Sequence, residues 1–350
     1  EPNFVTPWHI REASIFAIDR GATSYTSNLG ILELRTLIAE YILKNFNIHY
    51  DCEKEIIITV GVSEALDLVL RAIIEPDDEI LYCEPSYVSY NPLITLAGGK
   101  PVAVRTCREN GFQPLPEAIE SAITSKTKAI LLNSPNNPTG AVINRKNAEK
   151  IASLAEKYNL LIISDEIYTE LTYDEKPFSI LSSPGTKERG ILLNGFSKAW
   201  AMTGYRIGFA CAPAEIIEAM MKIHQYTMLC ASIISQKAAI EALKNGDTEK
   251  KEMIESYRQR RQFIWQSLNE IGIPCHKPEG AFYAFPYIGD YGMKSHEFCM
   301  KLLEEENVAC VPGTAFGKAG EGFMRCSFAA EFQDIKEAMK RIGRFVKKIK

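Results

Sequence analysis

Along the first two-thirds of the chain, short runs of branched apolar residues alternate with stretches whose apolar positions recur every three or four residues. EIIITV (55–60) precedes SEALDLVLRAII, in which the apolar residues fall at helical spacing. EILYC (79–83) ends at Glu84-Pro85, and KPVAVRT (100–106) is a further strand. TKAILLNS (127–134) runs into a loop of Pro, Asn and Gly ahead of the amphipathic stretch NRKNAEKIASLAEKYN. LLIIS (160–164), GILLNGF (190–196) and YRIGFAC (205–211) complete the series. Strands that are apolar without alternation are covered on both faces, and intervening helices are the usual way to join parallel strands. The pattern predicts an α/β fold: a large domain over residues 20–245 with a mostly parallel, seven-stranded sheet covered by helices. From about residue 250 the texture changes to a long charged helical stretch, then AFYAFPY, a helix at 295–306, VACVPG, FMRCSFA and a final helix. That reads as a smaller α+β domain, residues 246–350 together with 1–19.

In such sheets, ligands bind beyond the carboxyl ends of the strands. Gly61, Val62 and Ser63 lie between the first strand and a helix start, where free N–H groups and the helix dipole hold a phosphate. The plainer reading makes Ser63 the helix cap, and a sharper rival takes Gly61-x-Ser63-x-Ala65 as a near match to the nucleophile elbow of a serine hydrolase. That rival needs a histidine, and His224, His276 and His296 have no distinctive context. Asp165 ends an apolar strand, where a carboxylate needs a cationic partner such as a protonated pyridine nitrogen; otherwise it caps a helix. Tyr168 and Asn137, the latter in a turn-forming Asn-Pro-Thr-Gly context, are able to hydrogen-bond a phenolic oxygen on that ring. Lys198 sits in the apolar segment NGFSKAWAMTGYRIGF, where lost solvation makes an amine nucleophilic toward aldehydes, unless its stem simply reaches out to solvent. Arg206, in the same segment, is a fixed cation for a phosphate or one half of a surface ion pair. Pyridoxal 5′-phosphate uses all of these groups at once.

Composition narrows the alternatives. The formal charge of −4 and the lack of a basic run beyond Lys347, Lys348 and Lys350 leave nothing for nucleic acid to grip, and that cluster reads as a solvated helix end. The nine cysteines, an odd number without CxxC spacing, fit reduced thiols in a cytoplasmic enzyme. No Cys/His cluster points to a metal, and no apolar run reaches membrane-spanning length. The opening EPNFVTPWHI lacks the features of a signal peptide and an initiator Met, which reads as a processed or truncated form.

SYTSNLGILELR, the SPNNPTG loop, SDEIY, FSKAWAMTGYRIG and FMRCSFA together resemble the class I/II aminotransferases of the fold type I pyridoxal-phosphate family, across essentially the whole chain. The similarity is greatest to the subgroup of aspartate, aromatic and N-acetyl-diaminopimelate aminotransferases. It implies that Lys198 forms the Schiff base and moves the substrate proton, and that Asp165 pairs the ring nitrogen. Tyr168 and Asn137 would bond the ring oxygen, and Tyr87 would stack on the ring. Val62, Ser63, Ser197 and Arg206 would hold the phosphate, Tyr25 would reach the phosphate of a neighbouring subunit in a homodimer, and Arg325 would bind the substrate α-carboxylate. The implied reaction is ping-pong transfer of an amino group from an L-amino acid to a 2-oxo acid. Gly195 departs from relatives with Ser or Thr there, which implies one phosphate hydroxyl fewer, and relatives carry a covering segment ahead of Glu1, so reduced activity is expected. Residues 224–236 contain no Arg or Lys where dicarboxylate-specific relatives carry an arginine, and residue 63 is Ser where some have Lys. An aromatic, neutral or acylated amino acid is therefore expected rather than aspartate. A C–S β-lyase on the same fold is the alternative; a serine hydrolase using Ser63 and a cofactor-binding regulatory domain are more remote ones.

Overall fold

The computed structural model describes residues 2–176 and 178–349, so Glu1 and Lys350 lie outside the described residues. Seven strands form one sheet: β1 (Ile56–Thr59), β2 (Glu79–Glu84), β3 (Lys100–Arg105), β4 (Thr127–Asn133), β5 (Leu161–Asp165), β6 (Gly190–Gly195) and β7 (Gly208–Cys211). Their order is β1-β7-β6-β5-β4-β2-β3. Side chains alternate between the faces of a strand, so Ile56 and Ile58 enter one apolar layer while Ile57 enters the other. Both layers are closed by helices. Arg145–Lys157 buries Ala148, Ile151, Ala152 and Ala155, spaced as one helical stripe, and Asn144 caps it by accepting the Asn147 N–H at 2.9 Å.

Neighbouring strands among β2 to β6 pair in parallel, but β7 runs antiparallel to both β1 and β6. The expected strand 205–211 is also shorter than the sequence pattern suggests. Thr203–Tyr205 form a single 3-10 turn, and Arg206 has a left-handed backbone (φ 50°) that ends the turn before β7 begins. The reversal matters for function. β7 presents its amino end where β1, β4, β5 and β6 present their carboxyl ends, so Arg206 arrives at the same sheet edge as residues 61–63, 137, 165 and 198.

A second core surrounds a three-stranded antiparallel sheet of β8 (Tyr283–Ala284), β9 (Val311–Pro312) and β10 (Met324–Ser327), in the order β8-β10-β9. The helices Asp247–Ile271, Ser295–Glu306 and Phe332–Ile349 pack on it through Tyr257, Phe298 and Phe345. Tyr168, Leu171 and Tyr173, from just beyond β5, insert into this same core and tie it to the large sheet. At the amino end, Phe4 packs edge-on against Tyr257, whereas Ile10 joins the core beside Ile38 and Ile42. Lys347 and Lys348 occupy the last turn of the final helix, and Lys348 pairs with Glu305. No helix among the described residues is long and apolar enough to cross a membrane.

Candidate active site

The helix Gly61–Ile73 begins directly beyond β1. Val60, not Ser63, is its cap residue, and Ser63 lies inside the first turn, so the capping role expected as the plainer reading of Ser63 does not hold. The first N–H groups of a helix have no partner within it and carry the positive end of the dipole. Gly61 adopts φ +75°, and a Cβ on it would lie 2.7 Å from Arg206 Nη2. The guanidinium therefore occupies the space that only glycine leaves beside this turn, with Nη1 donating to Thr203 O at 3.0 Å. Gly195 is as tightly constrained: a Cβ there would meet Gly208 Cα at 2.9 Å and Ile207 O at 3.0 Å. The close approach of β6 and β7 leaves no room for a side chain at this position.

Asp165 is the last residue of β5 and is 5% exposed. Tyr90 Oη donates to its Oδ2 at 2.7 Å, and Ile167 N–H to its Oδ1 at 3.3 Å. Burial pushes this carboxyl up to about 6, against the opposing pull of the Tyr90 and Ile167 hydrogen bonds and the charge of Lys198. Asn133, which ends β4, donates to Asp165 O at 2.9 Å and accepts the Asn137 N–H at 2.9 Å, fixing the loop after β4 to the end of β5.

Tyr168 Oη lies 2.9 Å from Tyr283 Oη, and burial raises the Tyr168 phenol well above its ordinary range. Lys198 Nζ is 5.9 Å from the ring centroids of both Tyr168 and Phe282. The Arg325 guanidinium lies 4.5 Å from the Tyr283 ring centroid and 4.8 Å from that of Phe316, and Nη1 donates to Asn137 Oδ1 at 2.9 Å. Two rings and one hydrogen bond thus hold the fork before any substrate arrives.

One cavity of about 210 Å³ gathers Val62, Ser63, Tyr87, Asn137, Asp165, Tyr168, Ser197, Lys198, Arg206 and Arg325. Gly61 adjoins it through Arg206. Tyr25 stands apart, 81% exposed and outside the cavity lining. Asn133, Tyr283, Leu66 and Ile167 also line the cavity, and Tyr90 reaches Asp165 from behind; the sequence reading missed all five. Asn133 was within reach of the strand-end rule, since it closes β4. Tyr90 and Tyr283 carry no local signal, because only the fold brings them to Asp165 and Tyr168. No histidine among the described residues is hydrogen-bonded to Ser63; His224 is bonded instead to Glu64.

The cavity residues fit pyridoxal 5′-phosphate: a buried acid on one wall, a lysine within the cavity, and a helix start whose glycine makes room for an arginine. Fold and site together define a fold type I pyridoxal-phosphate enzyme. The chain belongs to the class I and II aminotransferases, whose family model matches residues 1–342. It is an aminotransferase, and its cofactor is pyridoxal 5′-phosphate. It is 50% identical over 348 residues to YugH of Bacillus subtilis, covering 99% of this chain and 90% of that one. It is 46% identical over 353 residues to an aspartate aminotransferase of Pyrococcus abyssi, covering 100% of this chain and 91% of the relative. The crystal structure of an aromatic aminotransferase from Pyrococcus horikoshii superposes with a TM-score of 0.98 at 44% identity, covering 99% of this chain and 94% of that one.

Proposed function

We propose that this aminotransferase moves the amino group of an aromatic, neutral or acylated L-amino acid to a 2-oxo acid in two half-reactions at one site. The observation that carries this reading is the cation inventory of the cavity: Lys198, Arg206 and Arg325. The bound cofactor supplies a carbonyl carbon for the amine and an electron-withdrawing ring. Lys198 Nζ would be the amine that holds that carbon and the base that takes the proton from the substrate Cα. Asp165 would keep the ring nitrogen positive, Asn137 and Tyr168 would bond the ring oxygen, and Tyr87 would cover the ring. Gly61, Val62, Ser63, Ser197 and Arg206 hold the phosphate, and Arg325 takes the α-carboxylate as a bidentate fork. With Arg206 and Arg325 so engaged, no further arginine among the described residues lines the cavity for a distal carboxylate, and residues 224–236 offer no Arg or Lys. Relatives at nearly equal identity are named for aspartate and for aromatic substrates, so the choice rests on these residues rather than on kinship.

The site is completed, on this reading, by a second copy of the chain. Tyr25 is 81% exposed, Arg206 faces solvent, and Trp8, Ile15, Phe16 and Tyr226 expose large apolar surfaces. All nine cysteines are free thiols, which supports a reducing, cytoplasmic setting.

The test is a panel of amino donors with 2-oxoglutarate as acceptor, followed by the absorbance of the bound cofactor. Aromatic or neutral donors are expected to exceed aspartate in kcat/KM; a clear preference for aspartate overturns the substrate assignment. Borohydride reduction of the loaded protein should leave a cofactor adduct on Lys198. Lys198→Ala should abolish both the adduct and activity, while Ser63→Ala keeps the adduct. Release of a thiol and ammonia from a thioether amino acid without amino transfer would instead indicate β-elimination.

A further inference from the structure

His224 is the most deeply buried ionisable side chain near the phosphate end of the site, 0% exposed, on the helix Ala214–Thr227. It is not part of the cavity lining, and its Nδ1 lies 2.7 Å from Glu64 Oε1. The second oxygen of the same carboxylate, Oε2, accepts the Val60 N–H at 2.5 Å. Val60 is the cap residue of the helix that begins with Gly61, Val62 and Ser63. One carboxylate therefore joins a buried imidazole to the backbone group that sets the entry angle of the phosphate turn. Thr59 Oγ1 fixes the other side of the turn by donating to Gly61 O at 3.0 Å. His224 is itself held in place. Its carbonyl accepts Met228 N–H at 2.8 Å and Leu229 N–H at 3.0 Å, and Asn28 Nδ2 holds Leu229 O at 2.9 Å.

A glutamate one turn into this helix is otherwise a liability. Its charge has the same sign as a phosphate, and a side chain left unbonded could turn toward the cavity or release the Val60 N–H. We infer that His224 is a positioning residue for the cofactor phosphate: by bonding Glu64 it pins that carboxylate on Val60 and so fixes the orientation of the N–H groups of residues 61–63. This inference rests on the reading of residues 61–63 as the phosphate cradle. Nδ1 is the ring nitrogen that faces Glu64, and Nε2 has no hydrogen-bond partner among the described residues. A ring bonded through one nitrogen and shut away from solvent acts here as a strut.

The experiment compares apoprotein of the wild type, His224→Leu, His224→Asn and Glu64→Ala for binding of pyridoxal 5′-phosphate and of pyridoxal, which lacks the phosphate. Loss of one hydrogen bond to a charged group corresponds to a roughly tenfold weakening. His224→Leu and Glu64→Ala are expected to raise the Kd for pyridoxal 5′-phosphate by about that factor, while the Kd for pyridoxal changes less than about twofold. His224→Asn, whose amide nitrogen occupies the position of Nδ1, should recover most of the loss. Glu64→Ala puts a good helix former at a mostly buried site and tests the link even if His224→Leu does not fold. Unchanged affinity for the phosphorylated cofactor in Glu64→Ala, or equal losses for both ligands in either variant, overturns the inference. Failure of the wild type to take up the cofactor at Lys198 overturns the functional reading itself, so the two failures are told apart by the wild-type control.

Discussion

Tyr90 Oη donates a 2.7 Å hydrogen bond to Asp165 Oδ2, from a phenol as deeply buried as the acid it serves. On the proposed reading Asp165 has to be ionised to keep a ring nitrogen positive, yet burial pushes its carboxyl up to about 6. The Tyr90 bond works against that push, because hydrogen bonds to the charged form favour it. In Tyr90→Phe the opposing force is lost, so the carboxyl moves further up and Asp165 takes a proton at a higher pH. The acid limb of kcat/KM against pH should shift upward by about one unit, with a loss of roughly tenfold at pH 6 and much less at pH 8. An unshifted limb would mean that Tyr90 only packs.

Glu166, the next residue, is 1% exposed and accepts hydrogen bonds from Ser164 Oγ at 2.8 Å and Ser179 Oγ at 2.5 Å. Burial, reinforced by the charge of Asp165, pushes this carboxyl up to about 7, above its value in an unfolded chain. The sign follows by linkage. The stabilisation belongs to the protonated form; it is complete below about pH 4.3 and is lost as pH rises through about 7. Glu166→Gln keeps a neutral amide on both serines and removes the titration. Urea unfolding should show the variant gaining on the wild type between pH 5 and 8, by on the order of 3 kcal/mol at the upper end. A constant difference across that range would show that Glu166 is charged in the folded protein.

The reach of the sequence had a physical limit at each point where it stopped. Continuous apolar runs marked six strands of the large sheet, because strands buried on both faces have no other pattern, whereas the largely uncovered edge strand β3 was legible only from its valines. The direction of β7 was not legible, since a run such as IGFAC is equally apolar whichever way it points. Asp165, Lys198 and Arg206 stood out because charge is costly in apolar surroundings. Tyr90, Tyr283 and His224 did not, because aromatic residues and a lone histidine usually fill cores, and their partners lie 75, 115 and 160 residues away in sequence.

Tyr283 has two contacts that can be removed one at a time. Its hydroxyl meets Tyr168 Oη at 2.9 Å, and its ring lies 4.5 Å beneath the Arg325 guanidinium carbon. Tyr283→Phe keeps the ring and should lower kcat a few-fold while leaving KM for the amino acid nearly unchanged. Tyr283→Leu also removes the ring. A desolvated cation–ring contact is worth about 1–2 kcal/mol, so KM should rise roughly tenfold. Equal effects of the two variants on KM would remove the ring from the account of Arg325 binding.

Gly61 and Gly208 separate folding from cofactor binding at the same turn. A Cβ on Gly61 lies 2.7 Å from Arg206 Nη2, the mobile end of an exposed side chain, whereas a Cβ on Gly208 lies 2.7 Å from Gly61 C and Val62 N, which are backbone. Gly61→Ala also places a side chain at φ +75°, a left-handed conformation that costs about 1–2 kcal/mol. Swinging Arg206 aside relieves the contact and leaves only the backbone cost, so the variant should fold with its melting temperature lowered by a few degrees while its affinity for pyridoxal 5′-phosphate falls at least about tenfold. Gly208→Ala has no side chain to displace; it must part β7 from the start of the helix, and a much larger fall in melting temperature is expected. Calorimetry and cofactor titration on the two variants check this directly. Intact affinity in a folded Gly61→Ala protein would mean that Arg206 does not need its present position to hold the phosphate.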